Sequence, residues 1–138
     1  MSTINVRRAT YYYLTVPDQP GEAYRLLSAL ADAGIELLSF SVVPTGPTHT
    51  QLFVFPADPE KLEQVLKRSG SALTGPLRAF IVQGKDDHGA LVELHERLSN
   101  ASVNIYAANA VSSGRGGLGY VFYVRPEQYE HAAGILGL

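Results

Sequence analysis

The sequence predicts an α+β protein in which one β-α-β-β-α unit occurs twice in tandem. Two observations support this prediction: the chain aligns with itself at an offset of 68 residues, and each aligned half alternates between strand-like and helix-like hydrophobic periodicity. Residues 17–21 fall on residues 85–89, and the apolar residues that follow fall on apolar residues. The matched pairs are Leu26 and Leu94, Leu30 and Leu98, Ala33 and Ala101, Ile35 and Val103, and Leu37 and Ile105.

The alignment continues without a gap into the second part of each unit. Residues 52–55 fall on residues 120–123, and Gly46 falls on Gly114. A slip of one residue then aligns Pro59 with Pro126, and Leu62 with Tyr129. Because turn residues align together with apolar residues, the pattern indicates a duplication and not a chance match of hydrophobic segments.

The first unit begins with a predicted strand, a helix and a hairpin. Residues 11–16 are rich in aromatic and β-branched residues and stop at a proline, which is typical of a strand that ends in a turn. Residues 22–33 place apolar side chains at helical spacing, and Gly34 follows as a C-terminal glycine cap. Residues 35–43 and 51–55 are a predicted hairpin, because prolines and a glycine lie between them.

A second helix closes the first unit. Asp58 is a predicted N-cap, and Pro59 suits the first helical position because its missing N–H would have no partner there. The apolar residues that follow are spaced to form one buried stripe, which consists of Leu62, Val65 and Leu66.

The second unit repeats this order of elements. Helices on one face of an antiparallel sheet make each unit ferredoxin-like. The connection at residues 69–76 is rich in glycine and serine, so the predicted domains are residues 1–70 and 71–138. The predicted elements of the second unit are residues 77–82, 89–98, 102–111, 119–124 and 126–136.

One strand of the second unit is not accounted for. A complete ferredoxin-like unit has a fourth strand after its second helix, but the sequence ends at Leu138, close to the end of that helix. Residues 3–7 alternate apolar and polar residues, as a strand with one exposed face does. We therefore expect residues 4–8, within an N-terminal segment 1–9, to form an added strand at the edge of the second unit's sheet or of a partner's.

The turn that opens the first helix resembles the ACT domain family. The family has a strand, an Asp-x-Pro-Gly turn that begins a helix, and a Gly-Ile-Asn-like entry to the next strand, and residues 16–23 and 33–37 match it well. In the second unit the turn keeps Asp86 and Gly89 but has His88 in place of proline, while Asn104 matches the family where the first unit has Glu36. The two units together cover nearly the whole chain.

The resemblance implies that a small metabolite, an amino acid in the first place, binds where ACT units pair. An exposed helix N-terminus favours a ligand carboxylate, and the acidic residues nearby suit a ligand ammonium. An alternative stays open: Asp18 and Asp86 only cap their turns, and the glycines only bend the chain. The expected ligand-binding residues are Asp18, Gln19, Pro20, Gly21, Glu22, Asp86, Asp87, His88, Gly89, Ala90 and Asn104.

Composition argues against several other classes of protein. Eleven basic and thirteen acidic residues give a net charge of −2 with no basic stripe, so no nucleic-acid partner is expected. No apolar run approaches the roughly 20 residues that span a bilayer, and the N-terminus does not resemble a signal peptide, so we expect a cytoplasmic protein without a membrane partner.

The chemistry-bearing residues do not form a catalytic or metal-binding pattern. The chain has no cysteine, its four histidines never lie four residues apart on one helix, and no cofactor or metal is expected. The glycine-rich residues 114–119 join two strands, so they are interpreted as a hairpin tip and not as a phosphate-binding loop. The protein is therefore predicted to be a non-enzymatic regulator, and exposed sheet edges favour a homodimer. The alternative function is a non-catalytic interaction subunit that docks on a metabolic enzyme.

Overall fold

The computed structural model describes residues 4–70, 72–85 and 89–138. In this part of the chain there are six strands, four α-helices and one short 3₁₀ helix. In chain order they are β1 (Ile4–Pro17), α1 (Glu22–Asp32), β2 (Leu37–Pro44), β3 (His49–Pro56), α2 (Pro59–Ser69), β4 (Thr74–Lys85), α3 (Ala90–Asn100), β5 (Ala107–Ser112), β6 (Gly117–Tyr123), the 3₁₀ helix (Pro126–Gln128) and α4 (Tyr129–Ile135).

The duplication and the α+β fold are confirmed by these boundaries. Helices α1 and α3 both have 11 residues and start and end 68 residues apart, and β3 and β6 start at the same offset. The glycines that precede the two helices have nearly the same conformation, with φ 93° at Gly21 and 90° at Gly89. Both values lie in the left-handed region, where a residue without a Cβ is at little disadvantage.

The described chain divides into two compact units. One, called the N-terminal unit, comprises Thr10–Leu77; the other, called the C-terminal unit, comprises Arg78–Leu138 with the described residues up to Ala9. The strands β1 and β4 therefore contribute to both units. The predicted domains, residues 1–70 and 71–138, follow the repeat in the sequence, whereas these units follow the packing of the chain.

The N-terminal unit packs α1 and α2 on one face of its sheet. Strand β3 lies between β2 and β1 and is antiparallel to both, so that Val54 pairs with Phe40 on one side and Tyr12 on the other. Helix α2 begins as predicted, because the Asp58 side chain accepts a hydrogen bond from the Lys61 backbone N–H at 3.2 Å. The buried core consists of Tyr12, Leu30, Ile35, Val54 and Leu62.

The C-terminal unit has the same arrangement and a larger core. Strand β6 lies between β4 and β5 and is antiparallel to both. Aromatic stacking contributes to this core, with ring centroids 4.5 Å apart for Phe80 and Tyr129. The buried core consists of Phe80, Val82, Leu94, Leu98, Val103, Tyr120, Phe122, Val124, Tyr129, Ala132 and Ala133.

The first residues of β1 supply the strand that the C-terminal unit lacks in sequence. This part of β1 belongs to the C-terminal unit, where β1 neighbours β4, and Ile4 and Val6 pack against the core. Arg8 donates two hydrogen bonds to the Glu130 carboxylate, at 2.9 and 3.0 Å, and Arg78 donates a third at 2.6 Å. These bonds, led by the one from Arg8, lower the pKa of Glu130 to about 2.

Three predicted elements differ from the structure. The strand predicted for residues 102–111 begins only at Ala107, because Ser102 has φ 59° and the Val103 N–H bonds back to the Leu98 carbonyl, which closes the end of α3. The helix predicted for residues 126–136 starts as a 3₁₀ turn and becomes α-helical at Tyr129. The strand predicted for residues 11–16 is continuous with the added N-terminal strand.

Candidate functional site

The turn before α1 leaves the start of that helix without a side-chain cap. The Arg25 N–H donates to the Gly21 carbonyl at 3.0 Å, which is the first hydrogen bond of the helix. Gly21 is the N-cap, and a glycine has no side chain that could accept from the N–H groups of the first turn. The helix dipole adds to the partial positive charge of these groups, so the turn favours an anionic ligand group.

Three polar side chains surround Gly21. The Glu22 carboxylate accepts hydrogen bonds from Gln19 Nε2 at 2.6 Å and from the Arg25 guanidinium at 2.7 Å. The Gln19 bond, and then the Arg25 bond, lower the pKa of Glu22, so this carboxylate is negatively charged at neutral pH. The turn therefore presents an acid and a base side by side. Sequence reasoning missed Arg25, although its i, i+3 spacing from Glu22 was the available signal.

Asp18 and Pro20 lie exposed on the same turn. The Asp18 backbone N–H donates to the Thr48 carbonyl at 2.9 Å, which ties the turn to the hairpin between β2 and β3. In the described part of the chain the Asp18 side chain makes no hydrogen bond, so the alternative in which it only caps the turn has no bond to support it. Its carboxylate is exposed to solvent beside the start of α1.

The equivalent turn of the C-terminal unit is described only from Gly89 onward. The predicted site residues Asp86, Asp87 and His88 lie outside the described residues. Gly89 is exposed, Ala90 is buried, and the Glu93 N–H donates to the Gly89 carbonyl at 2.8 Å. Because Glu93 occupies the position that Arg25 has in the N-terminal unit, the two turns carry opposite charges there.

Asn104 lies far from Gly89, at the other end of α3. Eleven helical residues at 1.5 Å each separate the two ends by about 16 Å. Asn104 is exposed and borders a groove of about 620 Å³, together with side chains from α3 and the start of β5. Within the C-terminal unit, the described site residues Gly89 and Asn104 therefore do not lie together.

The corresponding loop of the N-terminal unit borders a smaller pocket. This pocket has a volume of about 150 Å³ and contains Glu36, which is the counterpart of Asn104, with Asp58 and Lys61. Lys61 Nζ donates to the Gly34 carbonyl at 2.8 Å, and in the C-terminal unit Gln128 Nε2 donates to the Ser102 carbonyl at 3.1 Å. The two units thus fix this loop in the same way, although the side chains beside it differ in charge.

Residues 13–68 match the family model for the ACT domain. This segment is similar to ACT domains. It contains the turn at Gly21 and both helices of the N-terminal unit, which agrees with the resemblance in the sequence. The C-terminal unit repeats the fold of the N-terminal unit at an offset of 68 residues, so the chain is a tandem of two units with the same fold.

Several solved structures of similar fold align with nearly the whole chain. A protein from Bacteroides thetaiotaomicron has a TM-score of 0.77 and 17% sequence identity, and the alignment covers 96% of this chain and 88% of that protein. The regulatory subunit of aspartate kinase from Thermus flavus has a TM-score of 0.61 and 18% identity, covering 99% and 95%. The ligand-free form from Thermus thermophilus has a TM-score of 0.59 and 19% identity, with the same coverage. At these identities the similarity establishes the fold.

No curated protein sequence matches the chain. The ACT match is to a regulatory domain and not to a catalytic one, and it supports a ligand-binding regulatory role. Across residues 4–70, 72–85 and 89–138, no three His, Asp or Glu side chains are grouped so that they could hold a metal ion. In the same ranges, no helix combines the length and the apolar character that crossing a membrane requires.

Proposed function

We propose that this protein is a regulator that binds an amino acid where ACT units pair. The observation that carries the proposal is the turn at Gly21, in which an uncapped helix start lies beside the acid Glu22 and the base Arg25. An amino acid is a zwitterion, and this turn has one group suited to each of its charges. Gly89, which precedes α3, has nearly the same φ as Gly21.

The ligand carboxylate is expected at the start of α1. The N–H groups of the first helical turn and the Arg25 guanidinium both attract an anion, and Arg25 extends from α1 with 61% of its side chain exposed. The ligand ammonium is expected near the carboxylates of Glu22 and Asp18. Asn104, on an exposed loop at the far end of its own unit, would contribute from a second ACT unit.

Pairing of units is part of the proposal. The exposed edge strands β2 and β5 have unpaired backbone groups, and large apolar side chains on them remain in solvent, including Val42 at 50% and Val111 at 73% exposure. A homodimer that covers such an edge would complete a site that one unit cannot form alone. The Thermus proteins named above are regulatory subunits, which supports a regulatory and non-enzymatic role for this chain. A cytoplasmic location belongs to the same proposal.

Calorimetric titration and thermal shift against the twenty amino acids, with nucleobases and keto acids as comparison ligands, test the proposal. Glu22→Gln removes the carboxylate beside the turn and is expected to weaken amino-acid binding at least tenfold. Glu60→Gln is the matched control, because Glu60 lies in the first turn of α2, away from the site, and binding should stay within twofold of wild type. A flat response to all amino acids would refute the proposal.

A second candidate function is a non-catalytic subunit that docks on a metabolic enzyme. Strand β5 favours this function because all six of its residues are exposed, and an exposed edge can pair with a strand of another protein. Native mass spectrometry of the protein from its own cells separates the two functions. A bound metabolite supports the amino-acid regulator, whereas a stoichiometric enzyme partner without a metabolite supports the docking subunit.

A further inference from the structure

A groove lies beside α3 in the C-terminal unit, and the residues that line it all belong to that unit. Its volume of about 620 Å³ lies within the roughly 300–1,000 Å³ typical of small-molecule sites. One wall is the exposed side of α3 near its C-terminal end, the opposite wall is the start of β5, and the loop from Ser102 to Ile105 connects them.

The groove lies where one small side chain replaces a large one of the other repeat. Ala108 in the groove is the counterpart of Phe40, which packs against the core of the N-terminal unit. The backbone positions are equivalent, since Phe40 pairs with Val54 and Ala108 pairs with Phe122. The larger Phe122 is fully buried and fills the core below, so the volume that Phe40 occupies in one unit is left open to solvent in the other.

Polar substitutions accompany this loss of volume. His95 in the groove replaces Leu27, and Ser99 replaces Ala31. The His95 Nε2 lies 2.6 Å from the Tyr120 hydroxyl, a hydrogen-bond distance, and Tyr120 is almost completely buried, so the imidazole is held in place. The surface of α3 that faces the groove is therefore polar and held in place, whereas the equivalent surface of α1 is apolar.

None of the described residues that line the groove is Asp, Glu, Lys or Arg. Hydrogen-bonding groups come from His95, Ser99, Ser102 and Asn104, and the apolar surface includes Ile105 and Ala108. The hydroxyl and amide groups can both donate and accept, so they suit a ligand with donors and acceptors along one edge.

We propose that this groove is a second binding site, for a small uncharged molecule with an apolar body and a hydrogen-bonding edge. The groove shares Asn104 with the site proposed at the Gly21 turn, but its ligand would be of a different class, because a zwitterion would find no opposite charge among the groove residues. An ionised ligand would lose hydration without gaining an ion pair, so the groove discriminates against charged analogues of the same shape.

Nuclear magnetic resonance titration of the full chain tests this site with two matched pairs of probes. Nicotinamide and uracil are uncharged, whereas nicotinate and orotate carry the same rings with a carboxylate. We expect saturable amide shifts at Ser99, Asn104 and Ala108 with at least one uncharged probe. We expect its charged counterpart to bind at least tenfold more weakly.

Ala108→Phe fills the groove with the residue that the other repeat has at this position. It is expected to weaken binding of the uncharged probe at least tenfold. Asn109→Phe is the matched control, because it adds the same side chain to the neighbouring residue, which faces the other side of the strand, and binding should change less than twofold. Asn104→Ala provides an independent check if Ala108→Phe does not fold, and it should also weaken binding.

The inference is overturned if neither uncharged probe shifts these amides at 10 mM. It is also overturned if charged and uncharged probes bind equally, or if Ala108→Phe binds as wild type does. These outcomes are distinguishable from failure of the proposed function, since amino-acid binding is disrupted by Glu22→Gln and is expected to survive in Ala108→Phe.

Discussion

Replacing Ile4 and Val6 with serine is expected to destabilise the C-terminal unit, although the N-terminal unit follows these residues directly in sequence. Both side chains are partly buried against the C-terminal core. Full burial of a valine or isoleucine contributes about 1.5–3 kcal/mol, so two half-buried side chains together contribute about 1.5–3 kcal/mol. A small domain is stable by only about 5–15 kcal/mol, so a loss of this size is readily measured.

Urea unfolding combined with amide hydrogen exchange distinguishes the affected unit. The double variant should lose about 1.5–3 kcal/mol of unfolding free energy, and faster exchange should appear in β6 and α3 before it appears in β2 and β3. Asn5→Ser is the matched control, because Asn5 is an exposed residue between the two anchors, and its effect should stay within about 0.5 kcal/mol. Equal loss of protection in both units, or unchanged stability of the double variant, would refute the assignment of this strand segment to the C-terminal unit.

Three further predictions concern stability. Glu130→Gln should lower the melting temperature at pH 6, and the difference from wild type should shrink as the pH falls from about 4.5 towards 2. The reason is that folding depresses the pKa of Glu130 to about 2. The ionised carboxylate therefore contributes fully to stability above its unfolded pKa, and this contribution is lost as the pH falls to the folded pKa. A pH-independent difference in melting scans would contradict this. Leu62→Ala should cost about 2–5 kcal/mol in urea unfolding, because Leu62 is fully buried, and a cost below about 1 kcal/mol would count against the described core. Asp58→Ala removes the N-cap of α2 and should cost about 1 kcal/mol, measured in the same way, whereas Asp58→Asn should restore most of it.

Local signals in the sequence located the helices well. Asp58 and Pro59 identify the start of α2, and Gly21 and Gly89 identify the starts of α1 and α3, since caps and glycine turns depend on neighbouring residues alone. The repeat improved these predictions, because a boundary that is clear in one unit also places its counterpart. The predicted start of β5 was less accurate. Residues 102–106 are apolar enough for a strand, but they close the end of α3 before β5 begins at Ala107.

Features that depend on distant residues could not be derived in the same way. The pattern of residues 4–8 indicates a strand, yet nothing local shows that it continues without a break into residues 11–16 and neighbours β4. The ion pairs between Arg8, Arg78 and Glu130 join residues more than 50 positions apart, so no spacing rule predicts them. The pairing of Glu22 with Arg25 is local, and their i, i+3 spacing on one helix is a signal that the sequence contains.

The two units have similar backbone conformations at positions that the fold requires, and they differ in side chains around the proposed binding sites. Glycine φ values near 90° and tethers to the loop carbonyls recur in both units, because each is needed to form the same fold. At equivalent positions the N-terminal unit has Glu36 and Phe40, whereas the C-terminal unit has Asn104 and Ala108, and the fold requires neither difference. A duplication that preserved one binding function would have no reason to exchange charge and volume at these positions together. The divergence therefore supports the proposal above of a second, chemically different ligand in the C-terminal unit.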